Sequence, residues 1–304
     1  MTETQTLDPI QARPSRPLIS VIIPAYNEEA AIAETLTLLR QEKSLDEAEI
    51  IVVDDGSTDD TARIVQAFPS IKLVRHPFNR GYGSAICTGT RAAKGEYICW
   101  FDSDGQHRVE DLVKIGKKLT GENLEFCIGV RDEASYQDPN RKLGKWLLRQ
   151  SVNFSVGQKV PDFNSGLRGF QRDILQRYLH LLPRGFGAST LTTLLMIESN
   201  HFGATIPITV QKRIGKSAVK QFRDGMRTLQ IILHIVILFK PLKFFGGVGT
   251  FLVAIGALYG VIKASINNLG IPVLALLIMV LGIQSFFFGL LCDQISALRR
   301  ERFN

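Results

Sequence analysis

Two aspartates one residue apart, Asp102 and Asp104 in the stretch CWFDSDGQH, stand directly after a short apolar run. In an extended segment, residues spaced by two project to the same side, so both carboxylates can converge on one cation. Gln106 offers a third oxygen two residues further on. An all-oxygen set suits Mg²⁺ or Mn²⁺, with the remaining positions left to water and a diphosphate. A calcium loop of the EF-hand type is excluded: its sixth position would be His107 where glycine is required, and its twelfth Val113 where glutamate is. His107 reads as a solvated histidine of a polar turn, with ligation as the alternative.

Two more polar clusters follow apolar runs, Pro24-Ala25-Tyr26-Asn27-Glu28-Glu29 and Asp54-Asp55-Gly56-Ser57-Thr58-Asp59-Asp60. Ser57 and Asp60 have the spacing of a capping box, which accounts for part of the second cluster as a helix start. Asp54 and Asp55 are left over. An acid at a parallel strand's end commonly accepts from a ribose hydroxyl or a base N–H, and that role falls to Asp55. Arg80-Gly81-Tyr82-Gly83 begins like GxGxxG, but Ile86 replaces the third glycine, and no GxxxxGK[ST] occurs. Dinucleotide dehydrogenases and P-loop enzymes are thereby excluded.

The elements that position these clusters are legible from Leu18 to Val130. ISVIIP, EIIVV, IKLVR, EYICWF and EFCIGV are short strand-like runs, separated by the helical stretches IAETLTLLRQ, TARIVQAF, YGSAICTGTRAA and VEDLVKIGKKL. β-Branched runs alternating with amphipathic helices imply a mostly parallel sheet covered on both faces, an α/β fold. Ligands of such sheets bind beyond the carboxyl ends of the strands, where all three clusters fall.

Charge and apolarity divide the rest of the chain. The net charge of +7 is concentrated late: Lys212, Arg213, Lys216, Lys220, Arg223, Arg227, Lys240 and Lys243 face the single acid Asp224. Two uncharged runs follow, 244–262 and 271–292, each near the roughly 20 residues that cross a bilayer core as a helix. Their connection, KASINNLG, allows only a tight hairpin, and the basic residues at its open end put that side in the cytoplasm. Residues 218–241 carry Phe222, Met226, Leu229, Leu233 and Val236 on one helical stripe with Lys220, Arg223 and Arg227 off it, the pattern of an interfacial helix. The polar stretch 1–17 reads as a loose leader with no secretory signal, and 294–304 as a cytoplasmic tail. Cys87, Cys99, Cys127 and Cys292 lack CxxC spacing and read as reduced thiols, neither a zinc site nor a disulfide framework.

VIIPAYNEE, VVDDGSTDDTARI, NRGYGSAICTGTRAAKGEYICWFDSDGQH, DFNSGLRGF and KRIGKS resemble, in order and approximate spacing, the family 2 glycosyltransferases, and within them the polyprenyl-phosphate branch. The resemblance covers roughly 18–217. It implies a GT-A, Rossmann-like catalytic domain over 18–217, then the interfacial helix and a transmembrane hairpin over 242–293. It also implies a cell-membrane enzyme with its catalytic domain and both termini in the cytoplasm. The reaction implied is inverting transfer of one sugar from a nucleotide-diphosphate sugar to a polyprenyl phosphate, with Mg²⁺ or Mn²⁺. Pro24, Tyr26, Glu28 and Asp55 would line the nucleotide pocket, Asp102 would lie near ribose and diphosphate, and Asp104 with Gln106 would hold the metal. Arg131, Ser165, Arg213 and Lys216 match positions that contact acceptor phosphate or diphosphate; the catalytic set is then Asp102, Asp104, Arg131 and Arg213. The last motif is one residue tighter here than the family's usual RxxGxSK, which bears on Lys216 more than on Arg213. No nucleic-acid partner is implied, and a homo-oligomer stays open, as do the choice of UDP or GDP and of sugar. Two alternatives remain: a processive polysaccharide synthase, whose QxxRW signature is missing, and a non-catalytic lipid-binding membrane scaffold, which needs no acids at strand ends.

Overall fold

The computed structural model describes residues 17–132, 135, 150, 162, 164–185, 187–211, 230, 233, 237, 239–267 and 270–301. Two units are distinguished, one holding a sheet and one holding the C-terminal helices.

In the first unit the expected alternation is present as β1 (Ile19–Ala25), α1 (Ile32–Gln41), β2 (Glu49–Asp54), α2 (Thr61–Gln66), β3 (Lys72–Arg75), α3 (Tyr82–Ala92), β4 (Tyr97–Trp100), α4 (Val109–Gly121) and β5 (Phe126–Arg131). Two strands were not foreseen, β6 (Arg168–Gln171) and β7 (Gly203–Ile208), and between them runs α5 (Arg172–Tyr178). The sheet order is β3-β2-β1-β4-β6-β5-β7. All neighbouring pairs are parallel except those of β6, which is antiparallel to both β4 and β5. The chain therefore winds outward from β1 to β3 and then returns to the other side of β1 with β4. The crevice between the carboxyl ends of β1 and β4 is the topological switch point, where open α/β sheets take their ligands.

Burial follows from the pattern of residues. Val21 and Ile23 of β1 and Val52 of β2 pack with Ile32, Leu36 and Leu39 of α1 and with Leu112, Ile115 and Leu119 of α4. The helical residues recur every three or four positions, as a helix with one buried face requires. The alternate residue Ile22 turns to the opposite face, where α3 comes so close that a Cβ on Gly89 would strike the Ile22 side chain. Both faces are thus covered. Cys87, Cys99 and Cys127 are free and buried; burial pushes the Cys99 thiol up to about 12 and that of Cys127 up to about 11.

The second unit includes α6 (Ala188–Glu198, whose first residue belongs to the first unit), α7 (Pro241–Asn267) and α8 (Val273–Glu301). The hairpin helices outrun the apolar stretches that predicted them, and α8 continues through 294–301, where a tail was expected. Spans Pro241–Ile266 and Val273–Leu298 have mean hydropathies of 1.9 and 2.4, and only 17% of each apolar window is buried. Phe251, Leu258, Val261, Phe287 and Leu291 are exposed, a continuous apolar surface that suits lipid and not water. What holds α7 to α8 is small residues. A Cβ on Gly249 would lie 2.6 Å from the Gly282 carbonyl oxygen, and one on Gly282 would lie 2.6 Å from that of Gly249. Such backbone approach is how helices associate where apolar burial supplies no drive. Most of the expected interfacial helix, 218–241, lies outside the described residues, as do Arg213 and Lys216.

Candidate active site

Three loops at the carboxyl ends meet at the switch point. After β1, Asn27 takes a left-handed backbone (φ 54°) that asparagine tolerates better than most residues. Its Oδ1 accepts from Thr58 N at 2.8 Å, and its own N–H donates to Ser57 Oγ at 3.0 Å. Ser57 is therefore not the cap that its spacing with Asp60 suggested. Helix α2 starts later, at Thr61, whose N–H donates to Asp59 Oδ1 (3.0 Å), while Asp60 pairs with Arg63. The hydroxyl has been spent on joining the first loop to the second. Tyr26 is exposed beside this clip, Pro24 is buried, and Glu28 donates its N–H to Thr61 Oγ1 at 2.9 Å.

Both acids of the second loop are buried and partnered. Asp54 accepts from Ser57 N at 2.9 Å and from Arg75 Nε at 2.9 Å. Asp55 Oδ1 pairs with His76 Nδ1 at 2.6 Å and accepts from Arg80 N at 2.9 Å; Oδ2 accepts from Gly81 N at 2.7 Å. His76 Nε2 in turn meets Thr88 Oγ1 at 2.9 Å. A carboxylate has about four acceptor positions, so Asp55 retains one, on Oδ2. The Arg80-Gly81 loop, with Gly81 at φ 96°, is thereby fixed where it turns into α3 and delivers Tyr82.

The third loop carries Asp102 and Asp104. Strand β4 ends at Trp100, so both acids sit in a turn with Gly105 at φ 71°, and strand alternation does not place them. The turn is placed by Ser103, whose hydroxyl donates to Pro24 O at 2.9 Å and so ties β4 to β1. Asp104 is buried and accepts from Gln106 N at 3.1 Å. Gln106 donates through Nε2 to Gln211 O at 3.2 Å and accepts from Gln211 N at 2.9 Å. Its Oε1 is the atom suited to a cation. Asp102 accepts from Tyr82 Oη at 3.2 Å on Oδ1, and His107 Nε2 lies 3.4 Å from Oδ2. Burial works against its ionisation, yet His107, the Tyr82 hydroxyl and the Arg168 guanidinium together hold its carboxyl below the usual range.

His107 is not solvated: its side chain is 6% exposed, and the ring tilts against Phe101 at 6.2 Å between centroids. Arg168, on the unforeseen β6, is fully buried, donates through Nε to Ser165 O at 3.0 Å and stacks 5.6 Å from the Trp100 ring centroid. Ser165 itself is buried, its hydroxyl 3.5 Å from Leu167 O. Arg131 ends β5, and the adjoining Asp132 accepts from Ser135 Oγ at 2.9 Å and Thr209 Oγ1 at 2.6 Å. Sequence reasoning assigned no role to His76, Tyr82 or Arg168. Tyr82 was visible inside the glycine loop and Arg168 inside NSGLR, but neither spacing announces its partner.

Asp102, Asp104 and Gln106 bring only oxygen to one turn, and among the described residues no group of three or more His, Cys, Asp or Glu encloses a metal. That donor set fits a hard divalent cation held by few protein atoms and completed by a ligand's oxygens. Fold and site together define an α/β domain with polar loops gathered at its switch point, where open sheets of this kind take their ligands. Comparison makes the class specific. The chain belongs to glycosyl transferase family 2, whose model matches residues 20–179, and a GtrB C-terminal hairpin matches 240–298. The undecaprenyl-phosphate 4-deoxy-4-formamido-L-arabinose transferase of Photorhabdus laumondii is 27% identical over 93% of this chain and 90% of its own. The UDP-N-acetylglucosamine–dolichyl-phosphate N-acetylglucosaminyltransferase of Methanococcus voltae is 31% identical over 52% of this chain and 71% of its own. Glucosyl-3-phosphoglycerate synthase of Mycobacterium tuberculosis, solved with Mn²⁺ and UDP-glucose, superposes with a TM-score of 0.57 at 24% identity, covering 72% of this chain and 79% of that one. This likeness establishes the GT-A-like fold.

Proposed function

We propose that this protein transfers a single sugar, with inversion, from a nucleotide-diphosphate sugar to a polyprenyl phosphate at the cytoplasmic face of a cell membrane. The observation that carries the reading is the joining, in one chain, of a family 2 domain to a hairpin whose apolar surface suits lipid. Relatives over nearly the whole chain include a transferase named for undecaprenyl phosphate, which supports the same acceptor class.

The chemistry matches the residues. As the sugar bond breaks, the departing nucleotide diphosphate gathers negative charge, which a bound Mg²⁺ or Mn²⁺ would offset. Asp104 and Gln106 would hold that ion, and Asp102 would stand beside ribose and diphosphate. Pro24, Tyr26 and Glu28 line the nucleoside end, and Asp55 offers its one remaining acceptor position to the base. A phosphate monoester acceptor, with a second pKa of about 6, is largely ionised at neutral pH and needs no general base. It needs orientation and neutralisation, for which Arg131, Arg213 and Lys216 are suited, arginine through paired charge-assisted hydrogen bonds. Ser165, buried in its turn, would serve the acceptor side by shaping that turn. A processive synthase is disfavoured by the missing QxxRW signature, since neither Trp100 nor Trp146 follows an arginine.

Membranes carrying the full chain, given labelled nucleotide sugar and polyprenyl phosphate, are expected to yield a labelled lipid whose formation stops with EDTA. A long insoluble polymer, or binding without turnover, would replace this reading by one of its alternatives.

A further inference from the structure

The Asp102 carboxylate is approached from three separate parts of the chain. Tyr82, from the loop entering α3, donates to Oδ1, and His107, from the far end of the same turn, stands at Oδ2. The third approach is backbone: a Cβ added to Gly166 would sit on Asp102 Oδ2 and come within 3.1 Å of His107 Nε2. The carboxylate is still 24% exposed. It is therefore held on its sides and open in front.

His107 makes this arrangement informative. Its Nδ1 is buried without a hydrogen-bond partner. An unpaired buried polar atom costs about 1–3 kcal/mol, and such groups call for an explanation. Were the imidazole there only to fill space beside Phe101, an apolar side chain would do so without that cost. Its polar contact among the described residues is with Asp102. A carboxylate with two free torsions would otherwise sample several orientations, and a site that stabilises developing charge gains from groups fixed beforehand.

We infer that Tyr82 and His107 are positioning residues that clamp Asp102 from opposite oxygens, so that its open edge meets the metal-bound diphosphate of the donor in one orientation. The inference rests on the proposed use of this site for a nucleotide diphosphate. Neither residue touches the donor; each acts through Asp102. Their effects must therefore vanish when Asp102 can no longer be held as an anion.

The test is a double-mutant cycle on the full-length chain in lipid nanodiscs, with UDP binding in the presence of Mn²⁺ read by titration calorimetry. Tyr82→Phe removes one oxygen and keeps the ring; His107→Gln removes the imidazole. Each is expected to weaken UDP binding by about tenfold, the usual loss on removing a group that orients a ligand-holding side chain. In an Asp102→Asn background, neither is expected to change binding by more than about twofold, because coupled residues are not additive. Tyr82→Phe, the milder change, keeps the test open if His107→Gln folds poorly. The clamp is overturned if Tyr82→Phe leaves binding unchanged, or if the losses persist undiminished beside Asp102→Asn, as those of merely structural residues would. A wild-type chain that binds no UDP and no other nucleoside diphosphate overturns the reading of the site instead, which separates the two failures.

Discussion

Asp54, the last residue of β2, and Asp55, just beyond it, are both buried, and their four oxygens accept from Ser57 N, Arg75 Nε, His76 Nδ1, Arg80 N and Gly81 N. Beyond β4, Asp102 faces outward by a quarter of its side chain, held by one tyrosine hydroxyl and one imidazole, while the neighbouring Asp104 accepts from Gln106 N. The first pair builds the floor of the crevice by fixing the loops around it. In the second pair it is Asp102 that keeps part of its carboxylate open. An acid at a strand end is thus one of two devices according to whether the protein encloses its carboxylate, as at Asp54 and Asp55, or leaves part of it open, as at Asp102, and a substitution should show which device was removed.

The largest effect is expected in the second pair. Asp104→Ala should bring transfer to background while the protein still inserts in membranes, as flotation of the mutant with liposomes would establish; near-normal transfer would refute the metal assignment. Gly166→Ala comes next. Its methyl would collide with Asp102 Oδ2, and a displacement of about 1 Å in a reacting assembly can cost on the order of 100-fold. The readout is the transfer rate at saturating donor, with the thermal transition recorded alongside.

The comparison itself is tested by stability. Asp55→Asn turns an amide toward groups that are themselves donors, Arg80 N and Gly81 N. Losing a hydrogen bond of this charged kind costs about 1.5–3 kcal/mol, or roughly 3–12 °C in a domain of this size. Asp102→Asn should move the transition by less, since among the described residues that carboxylate accepts from no loop backbone and its partners are the Tyr82 hydroxyl and the His107 ring. Equal shifts would mean that both pairs are structural fixtures.

What was legible in the sequence divides along similar lines. The first five strands and four helices announce themselves because each is a run of one period, Ile50-Ile51-Val52-Val53 in β2 being the plainest. β6 was invisible: four residues with a buried arginine at its head, which Ser165 O and the Trp100 ring help to receive. β7 is an edge strand, with Pro207 in it and every second residue exposed, which reads as loop. At the site, residue types and loop positions were readable, but partners were not. Ser57 has the spacing of a helix cap and bonds instead to a residue 30 positions away, and His76 meets Asp55 across 21. Such pairings depend on strand order, and no local spacing encodes it.

The smallest effect asked of the comparison concerns the base. Asp55 Oδ1 already takes two hydrogen bonds and Oδ2 takes one, so the acid has a single position to offer. Guanine presents two adjacent donors, N1–H and N2–H, and needs both oxygens of a carboxylate. The imino N–H of uracil needs only one. Cytosine, with an acceptor at that position, would set one lone pair against another with no proton between them. If Asp55 reads the base, UDP should therefore bind more tightly than GDP or CDP by about tenfold, the loss expected from one unmatched polar contact of about 1.4 kcal/mol. Calorimetric titration of the three diphosphates with Mn²⁺ measures it, and Asp55→Asn should narrow the gap. Tighter GDP binding would show that the floor acid opens when a ligand arrives, and that the division between a closed pair and an open one does not survive occupancy.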